Sequence, residues 1–204
     1  MSQFVEFLSS AEEPVTLAEA KANARVEADA TWEDDFFTSV LIPGARQLAE
    51  TRTGACIKAA RWKQRLPEFP KLGHPIPITH TLCTVVESLT YLPAGTTTSR
   101  GTLTPDTDFE VVQTENETHL APLLATTWPS AGQSLRAVEI TYTAGLPRAD
   151  MTARYPSIRQ WILMAIAWGY DNRTLFIADG AGFTELPDSY HLQLLDPITV
   201  RPRF

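Results

Sequence analysis

The chain has 204 residues, 44% of them hydrophobic and 20% charged, so it suits one domain or two small ones and is too apolar for a disordered tract. A formal net charge of −7 argues against broad, salt-dependent adhesion to phosphate backbones. The acidity is uneven: residues 1–54 carry four Lys/Arg against ten Asp/Glu, residues 55–150 eight against nine, and residues 151–204 five against five.

Thr16 and Glu19 are spaced as a capping box and predict a short helix that ends near Arg25, followed by a connector over 26–30. Thr31 reads as the cap of a longer helix. Its first turn holds Glu33, Asp34 and Asp35, where the helix dipole favours negative charge. Phe37, Val40, Leu41, Gly44, Ala45 and Leu48 recur at helical spacing and predict one buried stripe. Pro43-Gly44 predicts a kink or break within it. Arg46 and Glu50, four residues apart, are expected to pair on the exposed face, an interaction of only about 0.2–0.5 kcal/mol. Arg52 and Gly54 supply stop chemistry.

Beyond Gly54 the pattern changes to period two. Lys58, Ala60, Trp62, Gln64 and Leu66 alternate with Ile57, Ala59, Arg61, Lys63 and Arg65, which predicts a strand with one basic edge or face. A proline-rich loop follows over 67–77. Further strands are predicted over 85–92, from Leu103, over 109–112, over 118–120 and over 137–143, so that residues 55–150 read as a small antiparallel β unit inserted between helices. Residues 156–172 form the one long apolar run. Trp161 to Trp168 carry no polar side chain, and the segment predicts a central helix covered on most faces. It is far shorter than the roughly 20 apolar residues of a bilayer crossing, so a buried spine is preferred to a membrane-active or partner-binding helix. A Gly-containing loop, a short helix from Asp188 to Leu195 and an extended tail complete the chain. The expected fold class is α+β, a helical core of two N-terminal helices plus a long apolar C-terminal helix, with the β unit inserted. It is expected as a single domain, with the helical part at 1–54 and 151–204 and the β insert at 55–150.

No arrangement of residues specifies a reaction. His74, His80, His119 and His191 are scattered, without a second ligand at helical or hairpin spacing, and read as exposed loop histidines. Cys56 and Cys83 likewise lack metal spacing and read as reduced thiols. The opening MSQFVEFLSS has neither the basic leader nor the apolar core of a signal peptide, so a cytosolic chain is expected. Gly180-Ala181-Gly182 lacks the third glycine and preceding strand of a dinucleotide loop and reads as a turn. The basic strand around Trp62 has two readings, a nucleic-acid surface or charges that guard an edge strand against aggregation, and the second is preferred. A subunit contact between that strand and the acidic N-terminal helices is the third.

Several phrases together resemble the head–tail connector (head-completion adaptor) proteins of tailed bacteriophages. They are Pro14-Val15-Thr16-Leu17-Ala18-Glu19-Ala20-Lys21, a connector with Asp29, and Ala49-Glu50-Thr51-Arg52-Thr53-Gly54 at the start. Ile140-Thr141-Tyr142-Thr143-Ala144-Gly145, Pro156-Ser157-Ile158-Arg159-Gln160, Trp168-Gly169-Tyr170-Asp171-Asn172-Arg173 and Leu194-Leu195-Asp196-Pro197 follow in order. Pro43-Gly44 and the wording of residues 25–30 depart from the family pattern.

The resemblance implies a non-enzymatic structural protein of the virion, without cofactor or metal, assembled in the bacterial host cytoplasm. Family members form a ring below the portal protein, extend the DNA channel and dock a tail or stopper component. DNA passes without specific binding, and no membrane is involved. A ring needs heterologous contacts, and a negative channel lining repels phosphates. The residues assigned to subunit contact or channel lining are Glu33, Asp34, Asp35, Arg46, Glu50, Lys58, Arg61 and Lys63. The competing readings are another virion interaction module, such as a stopper or tail-completion protein, and an enzyme with an unfamiliar site.

Overall fold

The computed structural model describes residues 4–114, 117–124, 126–173 and 193–200. In chain order the elements are β1 (Phe4–Ser10), α1 (Leu17–Asn23), a 3-10 turn (Thr31–Glu33), α2 (Asp34–Phe36), a π turn (Phe37–Leu41) and α3 (Ile42–Thr53). Then come β2 (Ala60–Leu66), a 3-10 turn (Lys71–Gly73), β3 (Ile76–Pro77), β4 (Cys83–Tyr91), β5 (Gly101–Leu103), β6 (Phe109–Gln113), β7 (Thr118–Pro122) and β8 (Val138–Ala144). Helices α4 (Arg148–Arg154) and α5 (Pro156–Asp171) and a 3-10 turn (Asp196–Ile198) follow. The chain divides into two compact units: residues 1–11 with 59–145, and residues 12–58 with 146–204.

The first unit is built of β structure. A five-stranded sheet runs β1-β2-β8-β4-β5 and a three-stranded sheet runs β3-β7-β6, every neighbouring pair antiparallel. Leu66, Leu89, Val138, Ile140 and Tyr142 of the larger sheet and Ile76, Phe109 and Leu120 of the smaller are fully buried. Phe69 stacks on Trp128 at 5.2 Å, and the Trp128 indole N–H donates to the His74 carbonyl at 2.9 Å. Gln64 is buried yet satisfied. It donates to Pro77 O at 3.0 Å and accepts from the Thr79 backbone N–H and hydroxyl at 3.0 and 3.1 Å, so its burial costs little.

The second unit is helical. Thr16 and Glu19 form the reciprocal capping box: Glu19 N–H donates to Thr16 Oγ1 at 3.2 Å and Thr16 N–H to Glu19 Oε2 at 2.8 Å. Thr31 is not a cap. It lies within a 3-10 turn, and Ala30 precedes that turn without a side-chain hydrogen bond. Pro43 does not break the helix. A proline ring crowds the turn before it and has no N–H to offer, and the π turn at Phe37–Leu41, closed by Ile42 N–H to Phe37 O, widens that turn so that the helical run passes through. The buried side is also narrower than the expected stripe. Phe37, Leu41, Ile42, Ala45 and Ala49 are buried, Ala49 completely so, whereas Val40, Gly44 and Leu48 are exposed. The helix ends as expected at Gly54, whose φ of +70° is left-handed and whose N–H donates to Glu50 O at 2.8 Å.

This architecture corrects the expected helical core with a small β insert and a long apolar C-terminal helix. Among the described residues the β structure is substantial, eight strands in two antiparallel sheets, and it takes in residues 4–10. Strand β1 escapes the alternation test because it is exposed along most of both faces, so its sequence FVEFLSS has no inside to encode. Nor is α5 an all-round apolar helix closing the chain. It buries one stripe, Ile158, Trp161, Ile162 and Ile166, leaves Trp168 60% exposed, and stops at Asp171. Asn172 is not left-handed (φ −114°) and closes the helix through its side chain, Nδ2 donating to Trp168 O at 2.8 Å. Helix α4, which carries a single buried residue, Met151, gives no periodic signal in the sequence. The loop expected over 175–185, including Gly180 and Gly182, and the start of the expected helix at Asp188 lie outside the described residues. No helix among the described residues is long and apolar enough to cross a membrane.

A Cβ at Gly54 would meet only Val200, at an ordinary 3.6 Å, so the penalty for adding one is backbone strain. Gly54→Ala is expected to destabilise the protein by about 1–2 kcal/mol in a urea titration.

Candidate functional site

The helical unit carries a connected set of ion pairs. Arg46 and Glu50 sit one turn apart on α3, and Arg46 pairs with both Glu50 and Glu13, the latter at 2.9 Å from Nε. Lys58 reaches the other Glu13 oxygen at 2.8 Å. The second Glu50 oxygen accepts the backbone N–H groups of Ile57 and Lys58 at 2.9 and 3.1 Å. Arg148 donates twice to the Glu13 carbonyl, at 3.0 and 2.9 Å, and pairs with Glu12 at 2.9 Å. The side chains of Glu13, Arg46, Glu50 and Lys58 are 13–23% exposed, so solvent and salt screen these pairs less than they would a surface pair. The expected weak, exposed Arg46–Glu50 pair is therefore part of a half-buried network that holds α3, the residues before α1 and the residues after Gly54 together. Glu13, its hub, has only the sequence signal of an acid beside Pro14.

The acidic residues of the second helix are also mostly engaged. Asp34 pairs at 2.8 Å with Lys21, which is 3% exposed and donates as well to the carbonyls of Ala28 and Ala30 at 3.1 and 3.2 Å. All three ammonium protons thus have acceptors, and the connector after α1 is tied to the start of α2. Sequence reasoning treats Lys21 as an ordinary helix former, because nothing local shows that the connector folds back over it. Glu33 pairs with Arg173 at 2.8 Å, and that guanidinium also lies over the Phe36 and Tyr170 rings at 4.7 and 4.4 Å. Asp35 is exposed and makes no ion pair among the described residues. Burial pushes the Glu19 carboxyl up, but hydrogen bonds from the Thr16 backbone and from Arg159 and Thr16 side chains, with the Arg159 charge, hold it below its ordinary value.

In the β unit the basic residues share one face of the larger sheet. Register sets Arg61 opposite Thr143, Lys63 opposite Thr141 and Arg65 opposite Glu139. Arg61 pairs with Glu87 at 2.6 Å, and Arg65 with Glu6 at 2.7 Å and Glu139 at 3.2 Å. Lys63 makes no ion pair among the described residues. The reading of this strand as a charged, guarded edge is corrected: β2 lies between β1 and β8, and the edge is β1. Arg46, Glu50 and Lys58 are thus brought together in one unit, Arg61 and Lys63 lie on a sheet of the other, and Glu33, Asp34 and Asp35 cluster where α2 begins.

His80 is a second correction. It is half-buried rather than exposed, stacked on Trp62 with centroids 4.0 Å apart and hydrogen-bonded through Nδ1 to the Tyr142 hydroxyl at 2.7 Å. Burial disfavours the imidazolium and lowers its pKa below 6.5. The thiol of Cys83 is pushed up to about 11 by burial, which keeps it protonated and unreactive at neutral pH. Among the described residues no cluster of three His, Cys, Asp or Glu side chains is placed to hold a metal.

No protein-family model matches the chain, and no curated protein matches its sequence. Solved structures do match, over nearly the whole length of both partners. A chain in a structure described as the neck of an empty gene transfer agent (GTA) particle, computed with C6 symmetry, is 18% identical, with a TM-score of 0.70 over 98% of this chain and 97% of that one. A chain of the virion of a native gene transfer agent particle is 19% identical, with a TM-score of 0.72 over 98% and 97%. One from the neck of a native GTA particle, computed with C12 symmetry, is 18% identical, with a TM-score of 0.62 over 97% of each chain. The shared property is the fold. It spans both units, so neither is an addition peculiar to this chain.

Two outcomes follow from the buried Lys21 and the half-buried His80. Lys21→Ala removes the donor from two carbonyls and a carboxylate and is expected to cost about 2–4 kcal/mol in chemical denaturation, with Asp34→Asn costing less because Asp34 is one-third exposed. The unfolded chain binds a proton at His80 more readily than the folded one. The stability tied to the neutral ring is therefore complete above about pH 6.5 and is lost as the pH falls toward the lower folded-state value. Melting temperatures between pH 7.5 and 5 should show this fall in the native protein and a shallower one in His80→Gln.

Proposed function

We propose that this protein is a structural component of the neck of a tailed, phage-like particle. In this reading copies assemble as a ring below the portal, extend the channel through which DNA passes, and offer a docking surface to a tail or stopper component. The observation that carries it is the fold match over 97–98% of this chain to chains of gene transfer agent necks and virions. The ordered run of phrases shared with head–tail connectors supports the same reading independently of the fold.

The protein's chemistry suits a part that acts by shape. Its ion pairs lie between its own segments and hold them in position, which is what a ring subunit needs if its edges are to meet reproducibly. Net charge of −7 disfavours adhesion to passing DNA. Of the residues assigned to a seam or channel lining, Asp35 and Lys63 are the most available, since each carries its charge without an ion-pair partner among the described residues. The others contribute through the segments they fix.

Electron microscopy of the purified protein mixed with portal-bearing capsids of its own particle tests the proposal. The expected result is added ring density at the portal vertex with rotational symmetry. Capsids that gain no density at that vertex over a wide range of protein concentrations would overturn it.

A further inference from the structure

The outward side of the helical run through α3 has an unusual composition. From Thr38 to Thr51 every exposed residue is uncharged. The two charged residues of this stretch, Arg46 and Glu50, are only partly exposed and are held by Glu13 and by the backbone at Ile57 and Lys58. Val40, Gly44 and Leu48 are exposed at spacings of four, so they share one face, and Val40 and Leu48 are 53% and 45% exposed. Trp32, in the 3-10 turn that opens the run, is 79% exposed.

Gly44 lies between the two aliphatic side chains. A glycine inside a helix lowers stability relative to alanine. Here no feature of the fold requires one: its φ is not left-handed, and a Cβ built on it has no atom within 4 Å. The protomer therefore gains nothing from lacking that Cβ. A neighbour approaching closely would, because the missing side chain leaves a notch flanked by Val40 and Leu48.

We infer that this face, Val40-Gly44-Leu48, is the contact surface for a second copy of this chain. The inference rests on the ring reading above. Two arguments select a second copy as the occupant. Copies carrying −7 each repel one another, so they approach best along a stretch such as Thr38 to Thr51, between Asp35 and Arg52, whose exposed side chains are uncharged. Chains with this fold also sit in necks computed with C6 and C12 symmetry, where the same chain is repeated about an axis. Such a contact is heterologous, one face of each copy meeting a different surface of the next.

The experiment compares wild type, Gly44→Ala, Gly44→Leu and Leu48→Asp by melting temperature, by ring yield on concentration and by ring density on portal-bearing capsids. Gly44→Ala should raise the protomer melting temperature by about 2–4 °C, since the added methyl meets only solvent in a single copy, while it weakens ring formation. Gly44→Leu and Leu48→Asp should reduce ring yield by about tenfold or more with the protomer still folded. Wild-type rings matched by equal yields from Gly44→Leu and Leu48→Asp overturn the inference and leave the ring reading standing. Variants that form rings normally yet fail to join the portal also overturn it, because the occupant is then another component. Absence of any ring from the wild type, alone and on capsids, overturns both.

Discussion

The helical unit depends on how Glu50 is used. One carboxylate oxygen takes Arg46 and the other takes the backbone N–H groups of Ile57 and Lys58, just beyond the left-handed Gly54. Residues just past a helix end have backbone N–H groups with no helical acceptor, and half-buried donors of this kind must be satisfied. Glu50 accepts from Ile57 and Lys58 from within α3 itself, which fixes the path of residues 55–58. Glu13 then ties Arg46 and Lys58 together, and Arg148 holds the Glu13 carbonyl, so segments far apart in sequence share one set of charges.

The same economy governs the acidic N-terminal part. An excess of carboxylates there suggests a negative surface, yet Glu12, Glu13, Glu19, Glu33, Asp34 and Glu50 each have a basic partner in their own unit. Formal charge thus overstates the free charge. In the β unit Glu6, Glu87 and Glu139 pair with Arg61 and Arg65 in the same way across the larger sheet, Glu6 and Glu139 from the strands beside β2 and Glu87 from β4, beyond β8. What such pairing secures is geometry.

Pro43 shows how a local conflict is resolved. A proline at that point would end or bend an ordinary α-helix, and the widened turn before it absorbs the crowding instead. The helical run remains continuous, with Phe37, Leu41, Ile42, Ala45 and Ala49 inward and Val40, Gly44 and Leu48 outward. The outward set is the part that a count of apolar residues assigns to the core, and in the folded chain it stays exposed.

Several features were legible from residues alone because their causes are local. The Thr16–Glu19 box, the stop at Gly54 and the strand over Ala60–Leu66 with Arg61, Lys63 and Arg65 on one face all follow from spacings of two to four residues. The residues between which charges would be shared were legible only as types. Lys21 reads as a helix former, and only the return of the connector places two carbonyls and Asp34 around its ammonium group. His80 reads as a loop residue, and only the register that sets Trp62 beside Tyr142 encloses it. Strand β1 needs β2 to be a strand at all, since most of its side chains stay exposed and its pairing is through the backbone. Sequence by itself therefore determined those starts, stops and alternations whose cause is local, the Thr16 box, the Gly54 stop and the β2 alternation among them, because capping, propensity and periodicity act over a few residues. Tertiary structure decided which charges are paired, which apolar residues remain outside and how many strands each sheet holds, because those depend on segments that meet only after folding.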